Sequence, residues 1–212
     1  MKLEFLDLGL VEFNQGLSCQ KECFARVKDG HIDTAVVLCR HYPVITLGRS
    51  SSAVSTDIDR KELAQRKIEL VEVERGGDVT YHGPGQQMVY IVTKLDYFQK
   101  DLHCFMEKIE RLAIDILFDC GLKAVSKKGL RGVWFGDKKI ASIGVAVRNW
   151  ITYYGFAINV KKDDLNNFSL IKPCGMDIMM TSLETVLGQE KIFFDITKAV
   201  RRRLEHGQGF FA

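Results

Sequence analysis

The 212-residue sequence predicts an α/β (α+β) fold in which a mixed β-sheet is flanked by helices. Three observations support this prediction: a β-rich stretch at 131–160, a long amphipathic segment at 101–121, and two β-branched runs between residues 34 and 48. Hairpins in the β-rich stretch exclude a simple doubly wound fold, because strands of that fold are joined by helical crossovers. The chain has three prolines and no repeat or evident linker, so we expect one domain over residues 1–212.

The β-rich stretch is typical of a meander of three antiparallel strands. Its segments RGVWFG, KIASIGVAV and ITYYGFAINV are separated by turn signals at GDKK and RNW. Five further strands are predicted from β-branched or alternating patterns. They are the N-terminal MKLEFLDLGLVEF, TAVVLCR at 34–40, VITLG at 44–48, IELVEVE at 68–74 and QQMVYIVTKL at 86–95.

The segment at 101–121 predicts the clearest helix, because its apolar residues recur at intervals of three and four. They are Leu102, Phe105, Met106, Ile109, Leu112, Ala113, Ile116 and Leu117, and Gly121 is placed to end the helix. Other helices are predicted at 18–30, ending at Gly30, and through RKELAQRK, with Asp57 or Asp59 as its cap. Two more are predicted near the C-terminus: one at 181–188 opened by a Thr181–Glu184 capping box, and one at 195–207 capped by Asp195 with Ile196, Val200 and Leu204 facing inwards.

The composition, 46% hydrophobic and 27% charged, is ordinary for a soluble globular protein. No apolar run reaches the roughly 18 residues that a membrane helix needs. Acidic residues interrupt the N-terminal apolar stretch, which argues against a signal peptide, so a cytosolic location and no membrane partner are expected. A net charge of +3 is too small to indicate a nucleic-acid partner.

Six cysteines are too sparse for a disulfide framework, and their spacing does not match a CxxC zinc site. We therefore expect reduced thiols and no metal. Cys174 differs from the other five, because it lies between Pro173 and Gly175 in the segment LIKPCGMD. Both neighbours disfavour a helix interior, so Cys174 is predicted to lie on a turn.

Positive residues bunch in four segments: SKKG at 126–129, DKKI at 137–140, VKKD at 160–163 and VRRRLEHG at 200–207. Two interpretations are open. These segments could be ordinary solvated surface, or they could form a docking face for an acidic protein partner.

The densest chemical stretch is RGGDVTYHGPGQ at 75–86. Its glycines allow the backbone to approach a ligand closely, but the stretch contains neither phosphate-loop pattern, GxxxxGK[ST] or GxGxxG. The segment that follows is strand-like, so we expect a loop that joins two strands. Two readings are open here as well: a hydrogen-bonded hairpin with a satisfied His82, or an ordered binding loop.

Several segments resemble one family, the lipoyl(octanoyl) transferases of the lipoate-biosynthesis B type. The matching segments are RGGDVTYHGPGQ (75–86), GVWFGDKKIASIGV (132–145), GFAINV (155–160) and PCGM (173–176), and PVITLGRS (43–50) and TSL (181–183) also look like the family. They occur in order across most of the chain. One departure is visible, because members commonly have His before GFALN, where this chain has Tyr154 before GFAIN.

The resemblance implies a fold like that of biotin and lipoate protein ligases. It also implies transfer of an octanoyl or lipoyl group, with no cofactor, from octanoyl-acyl carrier protein to a lysine of lipoyl domains. The acceptors would be lipoyl domains of 2-oxoacid dehydrogenase complexes and the glycine cleavage H protein. By the same resemblance, Cys174 is the nucleophile and Lys139 its partner. The implied substrate-binding residues are Arg75, Gly76, Gly77, Asp78, Val79, Thr80, Tyr81, His82, Ser142, Ile143, Gly144, Gly155, Phe156 and Ala157.

The chemistry of such a pair follows from elementary properties. A free thiol has a pKa of roughly 8.5, and a neighbouring ammonium lowers that pKa and increases the reactive thiolate. An acyl group on the thiol could then pass to an amine without ATP. Val79, Ile143 and Phe156 are candidates to line an apolar slot for the acyl chain, although each could equally be an ordinary core residue.

Three rival functions remain open from the sequence. An ATP-dependent lipoate or biotin protein ligase on the same scaffold would need no nucleophilic cysteine. A non-catalytic acyl- or carrier-binding scaffold would need the pocket and a basic face but no reactive pair. A redox-sensing cysteine would need a resolving partner, and none is evident.

Overall fold

The computed structural model describes residues 1–52, 58–171, 178–188, 192–205 and 210, with the main chain alone for 192–194. Within these ranges the strands are β1 Leu3–Val11, β2 Thr34–His41, β3 Val44–Leu47, β4 Glu69–Glu72, β5 Val79–His82, β6 Gln86–Thr93, β7 Val125–Lys127, β8 Leu130–Phe135, β9 Lys138–Arg148 and β10 Ile151–Asn159. The helices are α1 Phe13–Lys28, α2 Arg60–Gln65, α3 Leu102–Asp119, α4 Leu183–Leu187 and α5 Ile192–Glu205, with 3-10 segments at Leu95–Phe98 and Asp163–Leu170.

The strands form two sheets. The larger has seven strands in the order β1-β2-β6-β10-β9-β8-β7, and the smaller has three in the order β4-β3-β5. In the larger sheet β1 and β2 are parallel, whereas the remaining neighbours are antiparallel. The mixed sheet and the antiparallel β8–β9–β10 meander confirm the predicted fold class.

Helices cover both faces of the large sheet, which is why every residue of β6 is buried. Its residues alternate between two cores: Val89 and Ile91 pack in the core that contains α3 and α5, while Met88, Tyr90 and Val92 pack in the core that contains α1. A third core lies under the small sheet and includes Ile45, Tyr81 and Phe168. Among the described helices, none has both the length and the hydropathy needed to cross a lipid bilayer.

The predicted helices are present, but several of their ends differ. Helix α1 begins at Phe13, five residues before the predicted start, because Glu12 and Gln15 form a capping box there. Helix α4 is capped by the Ser182 hydroxyl, which accepts from the Thr185 N–H, so the predicted Thr181–Glu184 box is wrong. Helix α5 begins at Ile192, which places Asp195 in its first turn and not at its cap.

Two further predictions need correction, and two are confirmed. Leu102 is 45% exposed, so the apolar stripe of α3 begins one turn later, although Gly121 follows its end in a left-handed conformation as expected. Asp59 caps α2; the alternative, Asp57, lies outside the described residues. The stretch at 75–86 is not wholly loop, because Val79–His82 forms β5 and pairs with β3.

Candidate active site

A cavity of about 860 Å³ is lined by residues of both sheets and of the 3-10 segment at Asp163–Leu170. Thirteen of the sixteen predicted catalytic and substrate-binding residues line it: Arg75, Gly77, Asp78, Val79, Thr80, His82, Lys139, Ser142, Ile143, Gly144, Gly155, Phe156 and Ala157. Gly76 and Tyr81 are not among its lining residues. Cys174 lies outside the described residues.

Small residues on the two central strands make one wall of the cavity. Ser142 of β9 pairs with Ala157 of β10, and Gly144 pairs with Gly155. A side chain at Gly155 would meet the Val89 carbonyl oxygen at 2.2 Å, so this glycine is required by the approach of β6. Together these pairs leave the sheet surface low enough for a ligand to lie along it.

Arg75 is a buried cation on the cavity wall, with 7% of its surface exposed. Its guanidinium donates to the Thr46 carbonyl at 2.8 Å and to the Thr46 hydroxyl at 2.7 Å. Burial lowers the pKa of Arg75 to about 10, which still leaves it charged at neutral pH. A side chain at Gly144 would come within 2.9 Å of Arg75 Cδ, so the glycine makes room for this arginine.

His82 lies in the cavity wall as a neutral imidazole. Burial and, to a lesser degree, the nearby Arg75 cation lower its pKa to about 3. His82 Nδ1 lies 3.0 Å from Gln86 Oε1, an acceptor, so Nδ1 carries the proton and Nε2 is left as an acceptor. The residue therefore combines both interpretations considered from the sequence: its ring is satisfied on one side and lines the cavity.

Asp164 organises the GPG part of the loop, a role that no sequence pattern indicated. Its carboxylate accepts from the Gly85 N–H and, at 3.3 Å, from the Tyr81 hydroxyl. Side chains at Gly83 or Gly85 would collide with that carboxylate. Tyr81 is fully buried against Phe168, with ring centroids 5.6 Å apart, so it holds the loop from behind.

Lys139 lies at the other end of the cavity, next to Trp134. Its Nζ is 5.7 Å from the centre of the Trp134 ring, within the range of a cation–π contact. The lysine stem passes over Gly132, where an added Cβ would meet Lys139 Cε at 2.3 Å. No sequence pattern pointed to Trp134 or Gly132 individually, although both lie within the motif that contains Lys139.

The main chain of Lys139 is paired with the segment that follows Cys174 in the sequence. The Lys139 N–H donates to the Met179 carbonyl at 2.8 Å, and the Thr181 N–H donates to the Lys139 carbonyl at 2.9 Å. Ile171, which precedes the undescribed residues 172–177, also lines the cavity, as does Ile178, which follows them. Both ends of that segment therefore meet the cavity that Lys139 lines.

Burial distinguishes the mouth of the cavity from its inner end. Around Lys139 the lining includes the exposed residues Arg131, Lys138 and Met179, whereas the lining residues Phe13, Met88, Tyr90 and Tyr154 are buried. Lys128 is also exposed here, beside the lining residue Gly129. We call Lys128, Arg131 and Lys138 the basic rim. Within the described ranges, no carboxylate lies at ion-pair distance from any of these three residues.

The other predicted basic segments are largely neutralised within the chain. Lys161 pairs with Glu184 at 3.1 Å, and Arg202 and Arg203 each reach Asp119 at 2.5 Å. The described part of the chain contains no group of three or more His, Cys, Asp and Glu side chains placed to hold a metal ion.

Comparison with known proteins gives concordant results for sequence and fold. Residues 12–205 match the family model of the lipoyl protein ligase A/B catalytic domain. An octanoyltransferase of Thermoanaerobacter sp. (strain X514) is 42% identical over 184 residues, which cover 86% of this chain and 80% of that protein. An octanoyltransferase of Geobacter sp. (strain M21) is 38% identical over 200 residues, which cover 94% of each chain.

Solved structures of lipoate protein ligases share the fold at much lower identity. A lipoate-protein ligase A bound with ATP superposes with a TM-score of 0.79 at 16% identity, over 97% of this chain and 85% of that one. A bi-partite lipoate protein ligase of Thermoplasma acidophilum gives a TM-score of 0.70 at 15% identity, over 97% and 82% of the two chains. By sequence and by fold, the chain belongs to the lipoyl protein ligase A/B catalytic-domain family, among the octanoyltransferases.

Proposed function

We propose that this protein transfers an octanoyl or lipoyl group from acyl carrier protein to a lysine of a lipoyl domain, through a thioester on Cys174. The observation that carries the proposal is the position of Lys139, on the cavity wall and paired with Met179 and Thr181. The names of its relatives, octanoyltransferases, support the same reaction class. We expect no cofactor and, as argued from composition, a cytosolic location.

Chain connectivity supports the pairing of Cys174 with Lys139. Cys174 follows Ile171 by three residues and precedes Ile178 by four, and both of these line the cavity. Since a chain spans at most about 3.6 Å per residue, Cys174 lies within about 11 Å of Ile171 and about 14 Å of Ile178. These limits allow the thiol to reach the end of the cavity that contains Lys139, which supports the proposed pair.

In the first half-reaction, the Cys174 thiol gives its proton to the Lys139 amine and the thiolate attacks the carbonyl carbon of the carrier thioester. A new carbon–sulfur bond forms, the bond to the carrier sulfur breaks, and the departing sulfur takes the proton back from Lys139. Trp134 would hold the lysine in place for both transfers, because its ring attracts the ammonium form.

In the second half-reaction, the ε-amine of the acceptor lysine attacks the acyl-cysteine. The carbon–nitrogen bond of the amide forms, the carbon–sulfur bond to Cys174 breaks, and Lys139 moves the amine proton to the leaving thiolate. Exchange of a thioester for an amide runs downhill, so no nucleotide is consumed.

The acyl chain would occupy the cavity beyond Lys139. Val79, Ile143 and Phe156 are apolar and line it, beside the small-residue wall. Each buried methylene contributes about 0.8 kcal/mol, so two carbons change the binding constant about fifteenfold. The remaining candidates, Gly76 and Tyr81, would act indirectly, by shaping the loop that carries Arg75 and His82.

We propose that the basic rim docks acidic surfaces of the two protein substrates, the acyl carrier and the lipoyl domain. We propose that the acceptors are lipoyl domains of 2-oxoacid dehydrogenase complexes and the glycine cleavage H protein. The Thermoplasma acidophilum ligase of the same fold acts together with its E2 lipoyl domain in an archaeal lipoylation system, which supports a lipoyl domain as the acceptor.

The main competing function is that of an ATP-dependent ligase, which uses a free acid. The two are separated by supplying purified protein and an apo lipoyl domain with either octanoyl-carrier protein and no nucleotide, or octanoate with ATP and magnesium. Modification of the acceptor by the first mixture alone is expected. Modification of the acceptor by the second mixture alone would overturn the proposal in favour of the ligase. If neither mixture modifies the acceptor, the proposal is overturned in favour of a non-catalytic binding scaffold.

A further inference from the structure

Tyr154 has a left-handed backbone in the interior of a strand. Its φ is +63° and its surface is 4% exposed. The other described residues with positive φ, apart from glycines, are all exposed: Lys67, Gln99, Lys100, Asn149 and Trp150. A left-handed conformation costs a residue with a Cβ roughly 1–2 kcal/mol, so the surrounding structure must hold Tyr154 in place.

The unusual backbone changes where the Tyr154 ring points. Successive residues of a strand normally face opposite sides, yet the Tyr153 and Tyr154 rings stack with centroids 5.1 Å apart and planes at 29°. Pairing of β10 with β6 extends only to Gly155, and the Tyr154 N–H donates instead to Gln20 Oε1 at 2.8 Å. Gln20 projects from α1 and is fully buried. This contact holds the turned backbone, and the Tyr154 side chain lines the cavity.

A second locked ring lies beside it. The Tyr90 and Tyr154 rings meet edge to face, with centroids 6.3 Å apart. His41 Nδ1 lies 3.2 Å from the Val11 carbonyl, which can only accept, so Nδ1 carries the proton and Nε2 is the acceptor. The Tyr90 hydroxyl, 2.7 Å from Nε2, must therefore donate to it. Tyr90 is held in one orientation by a neutral, buried histidine.

Tyr154 pairs with Val145 of β9, six residues along that strand from Lys139, so these rings lie about 20 Å from Lys139, at a buried end of the cavity. Four side chains line it there: Phe13, Met88 and Tyr90, each 2% exposed, and Tyr154. The opposite end has the exposed basic rim and Lys139. We propose that Tyr154 is the end wall of the acyl site and a specificity-determining residue, which limits the length of the acyl chain that this protein accepts. The inference rests on the proposed function, because it takes the acyl chain to enter at Lys139 and extend inwards.

The test uses Tyr154→Gly, because glycine tolerates a positive φ and removes the ring without straining the backbone. Intact mass spectrometry measures loading of the protein with hexanoyl-, octanoyl-, decanoyl- and dodecanoyl-carrier protein. Without the wall, each additional methylene that becomes buried adds about fourfold to binding, so the decanoyl-to-octanoyl ratio should rise about fifteenfold. Met88→Phe fills the same end and should lower that ratio.

Trp150→Gly is the matched control, because it also replaces a strained aromatic residue by glycine but lies on the surface. It should leave the chain-length profile unchanged, as should Tyr154→Phe, which keeps the ring. An unchanged ratio in both Tyr154→Gly and Met88→Phe, with octanoyl still loaded, would overturn the inference. If the unaltered protein loads no acyl group at all, the proposed function fails, and thermal stabilisation by free fatty acids of the same lengths then tests the wall alone.

Discussion

Lys139 and Met179 are joined through their main chains, with the Lys139 N–H donating to the Met179 carbonyl over 2.8 Å. This bond ties the strand that carries the proposed proton acceptor to the segment that follows the proposed nucleophile. Because main-chain bonds depend little on side-chain identity, the connection fixes the relative position of the two segments independently of the reactive groups. The chemistry then depends on where the lysine stem is directed.

Gly132 directs that stem, so Gly132→Ala should displace Lys139. The added Cβ would lie 2.3 Å from Lys139 Cε and 2.5 Å from the Ala141 carbonyl oxygen. We expect transfer activity to fall by at least tenfold, measured as acceptor modification per minute by mass spectrometry. Gly136→Ala is the control, because Gly136 also has a positive φ but no atom within 4 Å of an added Cβ. It should lower stability by about 1 kcal/mol and leave activity intact. Equal activity of the two variants would contradict this account of Gly132.

The basic rim predicts a salt-dependent interaction with the acyl carrier. Reversing two charges in Arg131→Glu/Lys138→Glu should raise the KM for octanoyl-carrier protein about tenfold at low salt, with a smaller difference near 1 M salt, where charges are screened beyond about 3 Å. Steady-state kinetics at two ionic strengths measure this. Lys21→Glu, a charge reversal at an exposed position on α1, should leave the KM unchanged at both ionic strengths. A KM that is unaffected by the double reversal would rule out the rim as the docking surface.

Asp164 is predicted to stabilise the loop that carries His82. Asp164→Ala removes the acceptor of the Gly85 N–H and the Tyr81 hydroxyl, and each unsatisfied buried donor costs about 1–3 kcal/mol. The free energy of unfolding from urea titration should therefore fall by about 2–6 kcal/mol. Asp163→Ala, at the exposed neighbouring position, should change it by less than about 0.5 kcal/mol. Equal stability of the two variants would refute the role given to Asp164.

Two buried histidines predict loss of stability in acid. Burial lowers the pKa of His41 to about 4 and that of His82 to about 3, below the ordinary value of 6.5. At pH values between 6.5 and these lowered pKa values, the unfolded chain binds more protons than the folded protein. The free energy of unfolding therefore falls as pH drops from 6.5 towards 4. A loss on the order of 2 kcal/mol per histidine is expected between about pH 7 and about pH 4.5. His41→Gln should reduce this pH dependence, whereas the exposed His103→Gln should not. A flat profile would contradict the buried neutral state.

Local periodicity in the sequence was enough to predict the β8–β9–β10 meander and helix α3, since both patterns are written in consecutive residues. The small residues of the cavity wall were predicted only through the family resemblance, and the pairing of β9 with β10 brings them together. Contacts between segments far apart in the sequence could not be predicted. Asp164 meets Gly85 across 79 residues and Gln20 meets Tyr154 across 134, and neither has a local signal.

The conformation of Tyr154 shows why such contacts escape prediction. Tyrosine is favoured in strands, so the pattern ITYYGFAINV predicts regular alternation of its side chains. The left-handed turn arises because a glutamine on α1 supplies the acceptor that β6 does not. Only the packed fold brings that glutamine to the strand.

The central claim is that Cys174 carries the acyl group and Lys139 moves its proton. Intact mass spectrometry after mixing the protein with octanoyl-carrier protein tests this claim most directly. Cys174→Ala and Lys139→Ala are measured in parallel. Lys123→Ala is the control, because Lys123 is exposed and is not among the residues that line the cavity. The unaltered protein and Lys123→Ala should each gain one octanoyl group, mapped to Cys174; Cys174→Ala should gain none and Lys139→Ala should load at least a hundredfold more slowly. Octanoyl found on another residue, or loading of Lys139→Ala at the unaltered rate, would contradict the account.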